Sequence, residues 1–370
     1  MKRLLAISGL ALWLATAGAE VTFTDWDEAS LGRLIKAAGE DGQVIMLVIS
    51  QNDWCPDCIR LDRDLLSNPD ASAIRNLSRD WLVLDVPGYD ARGASVLAAH
   101  AVQFLGTPTT FILKARPDTR RLGDARVIGS IVGYTDDYMG RLEAVAAGFD
   151  ALATAQTAMR ESGTTDDYLT LARVYVEQGD RTNALRAFGS LLYRDDLEGD
   201  ARRDVRWEMI VTVTQRVGKD HEQALAEMDS FAGVYPEFAA GAEFAYHQAW
   251  SLLALGRVDE ARPILNESFR DGGDAESTYD YLYVVFRNPQ SEMLQEAEVV
   301  ARAAITEYPE ESALFHHALG RILRREGRYE EAAEAFQQAI ALANVDDEFY
   351  PVYIGQLEYV RSELAAARDN

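Results

Sequence analysis

Up to about residue 150 the chain mixes unbroken apolar runs with helical periodicity; from there to residue 370 helical periodicity stands alone. Val44-Ile45-Met46-Leu47-Val48-Ile49 and Trp81-Leu82-Val83-Leu84-Asp85-Val86 are apolar at nearly every position, the pattern of strands buried on both faces. Ile59, Leu61, Leu65 and Leu66 follow the first run at helical spacing, and Pro87-Gly88 closes the second with a turn. A helix is predicted from Ala94 to Leu105. The turn Gly106-Thr107-Pro108-Thr109 then leads into the strand Thr110-Phe111-Ile112-Leu113. Arg126 to Val132 alternates as its partner, and Asp136 to Ala147 reads as a closing helix with Asp136 in its first turn. Strands and helices that alternate in this way over residues 20–150 predict a compact α/β domain.

The composition shifts at Gly148-Phe149-Asp150 to alanine-rich helical periodicity with an internal repeat. In Ala313 to Asp346 the positions Leu319-Gly320, Leu323, Gly327, Tyr329, Ala332, Phe336 and Ala339 fall on a 34-residue pattern. Residues 165–198 match through Tyr168, Leu171-Ala172, Tyr175, Gly179, Ala184 and Phe188, and 242–275 through Ala249, Leu252, Gly256 and Ala261. Two weaker units lie around Ala224 with Pro236 and around Ala297 with Pro309. This resembles the tetratricopeptide (TPR) repeat, and implies an all-α solenoid of five helix pairs over 151–370. Small residues at Ala184, Ala261 and Ala332 let helices approach, and Phe188 and Phe336 fill the space between neighbouring repeats. Phe349 to Ala367 is expected to cap the last apolar edge. The resemblance implies a protein-binding scaffold; the array could also serve only to dimerise the chain or space its other half. Few contacts are expected between a closed α/β domain and repeats that mainly touch their neighbours.

Charge and the first residues bear on location and partners. Met1-Lys2-Arg3, the apolar stretch Leu4 to Ala15 and Ala17-Gly18-Ala19 have the form of a signal peptide over residues 1–19, cleaved near Ala19, which predicts a soluble exported protein of the periplasm. The formal net charge of −24 would repel phosphate backbones and anionic lipid, so neither nucleic acid nor stable membrane insertion is expected.

Candidate chemistry is concentrated in Trp54-Cys55-Pro56-Asp57-Cys58, which holds both cysteines of the chain. If Cys55 opens the helix that follows the first strand, unpaired backbone N–H groups and the helix dipole favour a thiolate there. Pro56 suits a first turn, and Cys58, one turn on, can attack a mixed disulfide at Cys55. Cys55 is thus the expected attacking sulfur, and the more exposed one, with Cys58 the resolving one. Zinc would need two further ligands, and His100, His221, His247, His316 and His317 show no paired spacing near the motif. An inert bridge would close too short a loop to stabilise much. No metal and no cofactor is expected.

With Gly106-Thr107-Pro108-Thr109 before a strand and Gly133-Tyr134 after the last one, the motif makes residues 22–148 resemble the thioredoxin superfamily, nearer to its exported members because of Asp53-Trp54-Cys55 and Leu65-Leu66-Ser67-Asn68-Pro69. The resemblance implies a cis-proline at Pro108 beside the cysteines, and substrate contacts from Thr107 and Trp54. Two positions depart from the pattern. Pro56-Asp57 replaces Gly-Pro between the cysteines, and Ile49 stands where a buried aspartate normally accepts the proton of the resolving cysteine. Asp57 beside Cys55 disfavours the thiolate, which points away from a strong oxidant. The function expected is thiol-disulfide exchange on protein substrates, leaning to reductant or isomerase, with the TPR array recruiting a protein partner. The alternative is a TPR adaptor or chaperone-like scaffold for assembly of an envelope complex or cytochrome, with vestigial redox activity.

Overall fold

The computed structural model describes residues 24, 28–51, 55–68, 70–88, 91–270, 274–288, 290–347 and 349–369. The expected signal peptide and Trp54 lie outside the described residues. Among the described residues near the N-terminus four strands form one mixed sheet, β1 (Val44–Ser50), β2 (Leu82–Pro87), β3 (Thr109–Lys114) and β4 (Arg126–Val132), in the order β2-β1-β3-β4. β1 runs parallel to β2 and antiparallel to β3, and β3 runs antiparallel to β4. The apolar run of β1 is explained by burial on both faces. Ile45, Leu47 and Ile49 pack under helices Glu28–Asp41 and Ala91–Ala99, through Leu31, Ile35, Val96 and Leu97. Met46 and Val48 face Leu61, Leu66, Ile74 and Leu142 from the helices on the other side.

Two boundaries differ from those predicted. The helix expected over 94–105 spans Ala91–Ala99, because Ala101 takes a left-handed conformation (φ 55°) and the Val102 N–H returns to the Leu97 carbonyl at 2.8 Å, closing the helix end. The closing helix starts at Tyr138, not Asp136, and its flanking residue Asp137 makes no side-chain cap.

From Ala151 onwards the chain is helical. An added helix, Ala151–Glu161, precedes the five pairs. These are 165–177 with 181–192, 199–217 with 221–232, 242–254 with 258–270, 275–287 with 291–307, and 312–325 with 329–342. Ala184, Ala224, Ala261, Ala297 and Ala332 are fully buried where paired helices approach, as are Phe188 and Phe336. Each such phenylalanine contributes roughly 1.5–3 kcal/mol by leaving water. The expected capping helix spans Tyr350–Asp369 and covers Ala339 with Val352 and Tyr353.

The expectation of few contacts between the two halves is overturned. Ile59, on the helix that carries the cysteines, packs with Phe349, Val352 and Tyr353 of the C-terminal segment. At the other end of the array, Arg141 pairs with Glu177 at 3.3 Å, Arg126 pairs with Asp150, and Leu105 joins the core of the first repeat. Gly179 (φ +68°) lies so close to the Gln103 carbonyl that a Cβ would collide with it. In the second pair, the Lys219 ammonium sits 4.8 Å from the Phe104 ring centroid. The repeats therefore touch the sheet region at their first, second and last elements, because the solenoid curves around it. Sequence periodicity reports which residues face a neighbouring repeat and is silent on where the curve returns.

Candidate functional site

Cys55 and Cys58 form a disulfide, with Cα atoms 5.2 Å apart. Cys55 sits at the N-cap of the helix Pro56–Leu61 with extended backbone, and its sulfur accepts the Cys58 N–H at 3.1 Å. Pro56 occupies the first turn, where its missing N–H leaves no bond unmade. In the reduced state the same N–H and the helix terminus would favour negative charge on the Cys55 sulfur. The helical path continues through a π-turn over Asp62–Leu66, which brings Leu61 and Leu66 onto the sheet.

The expected difference in exposure is not seen: Cys55 is 2 % exposed and Cys58 1 %. What separates them is position, since Cys55 lines a cleft and Cys58 is not among its walls. The Thr107–Pro108 peptide bond is cis, and the Thr107 carbonyl oxygen lies 3.5 Å from the Cys55 sulfur. The Thr107 hydroxyl is buried without a hydrogen-bond partner. The structure thus brings Cys55, Cys58, Thr107 and Pro108 to one place.

Asp57, expected to oppose a thiolate, is 3.5 Å from Arg60, whose guanidinium lies over Tyr134. This half-exposed pairing softens the repulsion by a small amount. Ile49 packs on the sheet face away from the cysteine helix, and a carboxylate lies on the neighbouring strand. Asp85 on β2 lies opposite Val48 and two residues after Val83, so it points to the sheet face covered by the cysteine helix. Burial holds its carboxyl above the ordinary range, Asp62 adds to that shift, and the hydrogen bond from Ser50 Oγ at 2.7 Å opposes it. Asp85 is not in the strand before the motif, and its mark in the sequence is an acid inside an otherwise apolar run.

The cleft above Cys55 has a volume of about 800 Å³. Cys55, Pro56, Asp57 and Gly106-Thr107 form one wall, and three successive repeat pairs form the other, through Arg216 and Lys219, through Tyr246, His247 and Trp250, and through Tyr283 and Arg287. The second pair reaches it by leaving the α-helix. Met209–Val217 is a π-helix, and Val213, Thr214 and Gln215 are buried in succession, where an α-helical stripe buries every third or fourth residue.

Gln215 is the centre of a polar network beneath the cleft. Its side-chain amide donates to the His247 carbonyl and to Ser251 Oγ, both at 2.7 Å, and its oxygen accepts from His247 Nδ1 at 2.6 Å. Ser251 Oγ in turn lies 3.3 Å from His221 Nδ1. This direction of donation leaves His247 with its proton on Nδ1 and its Nε2 as an acceptor. Burial, with Arg216 adding to it, pushes the His247 pKa down to about 4, and burial lowers that of His221. Both rings are therefore neutral at neutral pH. Gln215 and Ser251 carry no mark in the sequence, and His221 and His247 enter it only as histidines without metal-ligand spacing; packing between repeat pairs brings the four together. Among the described residues no group of three or more His, Cys, Asp or Glu side chains could hold a metal ion, and no helix is long and apolar enough to cross a membrane.

Comparison with known proteins bears on the helical part. No curated protein sequence matches the chain. Among solved structures it is similar to residues 41 to the end of MamA from Desulfovibrio magneticus RS-1, with 19 % identity, 50 % of this chain and 97 % of that chain covered, and a TM-score of 0.35. It is also similar to YrrB, described as a TPR protein with an unusual peptide-binding site, with 16 % identity, 56 % and 100 % covered, and a TM-score of 0.32. The sequence pattern of the tetratricopeptide repeat matches residues 242–267 and 313–344. The C-terminal part of the chain therefore carries tetratricopeptide repeats.

Proposed function

We infer that this chain is a TPR binding scaffold that holds a partner protein over a redox-active dithiol. The scaffold comes first, since TPR repeats are present and solenoids of this kind offer a long, side-chain-lined inner face. The thioredoxin-like reading of residues 20–150 is supported by the sheet order, by a CxxC helix that follows β1 and by a cis proline before β3. The observation that carries the combined reading is the shared cleft: Cys55 and three repeat pairs line the same space. A partner bound by the repeats lies within reach of the sulfur.

The exchange proposed is a two-electron step. The Cys55 thiolate attacks one sulfur of a partner disulfide, a Cys55–partner bond forms, and the other partner sulfur leaves with the electron pair. Deprotonated Cys58 then attacks Cys55, which oxidises the pair in this chain and releases the partner as a dithiol. Asp85, on the sheet face beneath the cysteine helix, is proposed as the proton acceptor in place of the acid missing at Ile49. The first 19 residues support export to the periplasm, where such exchange has substrates.

The reduction potential of the Cys55–Cys58 pair tests the dithiol part. Equilibration of the full chain with redox buffers, read by thiol alkylation, is expected to give a value between about −120 and −270 mV, the span of exchange-active dithiols. A value below about −300 mV marks an inert bridge and leaves only the scaffold. Binding by the repeats is tested separately, by recovery of the same partner with Cys55→Ser as with the unaltered chain.

A further inference from the structure

Among the described residues, those that line the cleft over Cys55 carry a charge opposite to that of the molecule. The chain carries a formal −24, yet among the described residues the cleft lining holds Arg216, Lys219 and Arg287 and one carboxylate, Asp57, itself paired with Arg60. His221 and His247 add no charge at neutral pH. Arg216 comes from the π-helical stretch and lies against the strand-leading turn: a Cβ at Gly106 would sit 3.1 Å from its Nη2. Gly106 precedes Thr107, whose carbonyl is 3.5 Å from the Cys55 sulfur. One cation thus lies against the turn that carries Thr107, within the cleft that Cys55 lines.

Lys219 is a second unusual placement. It is one of four lysines in the chain and has a left-handed backbone (φ 51°), a conformation that costs a residue with a Cβ about 1 kcal/mol. On the far wall, Arg287 lies 5.4 Å over the rings of both Trp250 and Tyr283 and donates to the Tyr283 hydroxyl at 2.6 Å. Those rings hold the guanidinium in place and present aromatic surface beside it.

We propose that this cleft is the docking slot for an acidic segment of the partner protein, in which the cysteine presented to Cys55 is flanked within a few residues by Asp or Glu. The inference rests on Cys55 as the attacking sulfur and adds the chemistry of what reaches it. Carboxylates on the segment would meet Arg216 and Arg287 in paired hydrogen bonds, with Lys219 as a third positive point. Trp250 and Tyr246 would support its backbone. The acidic exterior supplies the selectivity: an anionic segment is repelled elsewhere and drawn to the cationic mouth, whereas a basic segment is spread over the outer surface.

The full chain with Cys58→Ala tests this against two synthetic peptides, each with one cysteine capped by a 2-pyridylthio group. One carries Asp and Glu on both sides of the cysteine, and the other carries Lys at those positions. The Cys55 thiolate attacks the peptide sulfur, the bond to the pyridylthio group breaks, and that group leaves with the electron pair as 2-thiopyridone after taking a proton. At low salt the acidic peptide is expected to react roughly tenfold faster or more. The ratio should fall towards one as salt rises to about 1 M, where the screening length is only about 3 Å. Arg216→Glu should invert the preference. Lys219→Asn, which tolerates the left-handed backbone, should reduce it about threefold. The ratio within one variant is its own control for folding, since a misfolded chain loses both reactions. Equal rates for the two peptides in the Cys58→Ala chain would overturn the acidic slot and leave the redox reading intact. No reaction with either would remove the redox reading itself. Glutathione capped in the same way and reacting as fast as the acidic peptide would assign the cleft to a small dicarboxylate thiol and overturn the partner segment.

Discussion

The last and the second helix pairs are built to the same plan and put it to different ends. In the last pair, 312–325 with 329–342, the helices are unbroken, Ala332 and Phe336 are fully buried, and Gly320 lies under the Phe336 ring so closely that a Cβ would come within 2.6 Å of it. In the second pair, 199–217 with 221–232, the first helix turns π over nine residues, two polar side chains in it are buried, and Lys219 holds a left-handed backbone. The regular pair follows the repeat pattern and supplies packing. The irregular pair departs from it and supplies walls to the cleft over Cys55. Local departure from a consistent pattern marks the place where packing has been given up for a site.

The largest expected effect lies in the regular pair. Phe336→Ala should lower stability by about 4 kcal/mol, since it removes a fully buried ring and leaves a cavity against Gly320. Denaturant unfolding reads it; a loss under about 1 kcal/mol would mean that this pair is not the packing anchor the comparison makes it.

Acid should act on the irregular pair. His247 is held near 4, below its ordinary 6.5, so the stability it contributes is complete above pH 6.5 and is lost as pH falls towards 4. The loss amounts to about 3 kcal/mol across that window. Stability measured from pH 7 to 4 should fall more steeply for the unaltered chain than for His247→Asn, which keeps a donor towards Gln215. Parallel curves would break the link between the polar network and the fold.

Gln215→Leu is next in size. It retains most of the side-chain volume but strands the His247 carbonyl and the His247 Nδ1–H, for a loss of about 2 kcal/mol. The same exchange should lower the preference for acidic peptides, because Arg216 is the next residue on the π-turn. Retention of both stability and preference would show that the irregular helix serves no site.

The smallest effect is a gain. Asp85 is held above its ordinary carboxyl range, so its contribution to stability is lost as pH rises from the unfolded value of 3.8 through the raised folded one. Asp85→Asn should therefore stabilise the protein at pH 7 by about 1 kcal/mol, with the gain vanishing near pH 4, while thiol exchange slows. A variant that is stabilised and equally fast would leave Asp85 without a role at the cysteines.

Much of this organisation was legible in the residues. Buried strands announced themselves as apolar runs, and the first and last repeats as spaced alanines, glycines and aromatics, because both signals are local and report which face meets a neighbour. The helix end at Ala99 was not legible, since an alanine in left-handed conformation leaves no mark in the sequence. The Asp85 carboxylate was visible only as an acid in an apolar run. Gln215, Arg216, Lys219, His247 and Arg287 lie on three different repeat pairs, and nothing in their spacing joins them.

By itself, then, the sequence determined the four described strands, the alternation of faces, the pairing of repeat helices and the position of two cysteines at a helix start, all of which depend on residues a few positions apart. Only the tertiary structure decided that the last helix returns to Ile59, that the sheet region sits against three parts of the array, and that cations from separate repeats gather over Cys55 in an acidic chain. Those outcomes depend on the summed curvature of many helix pairs, and each pair contributes a small rotation that no short window of residues records.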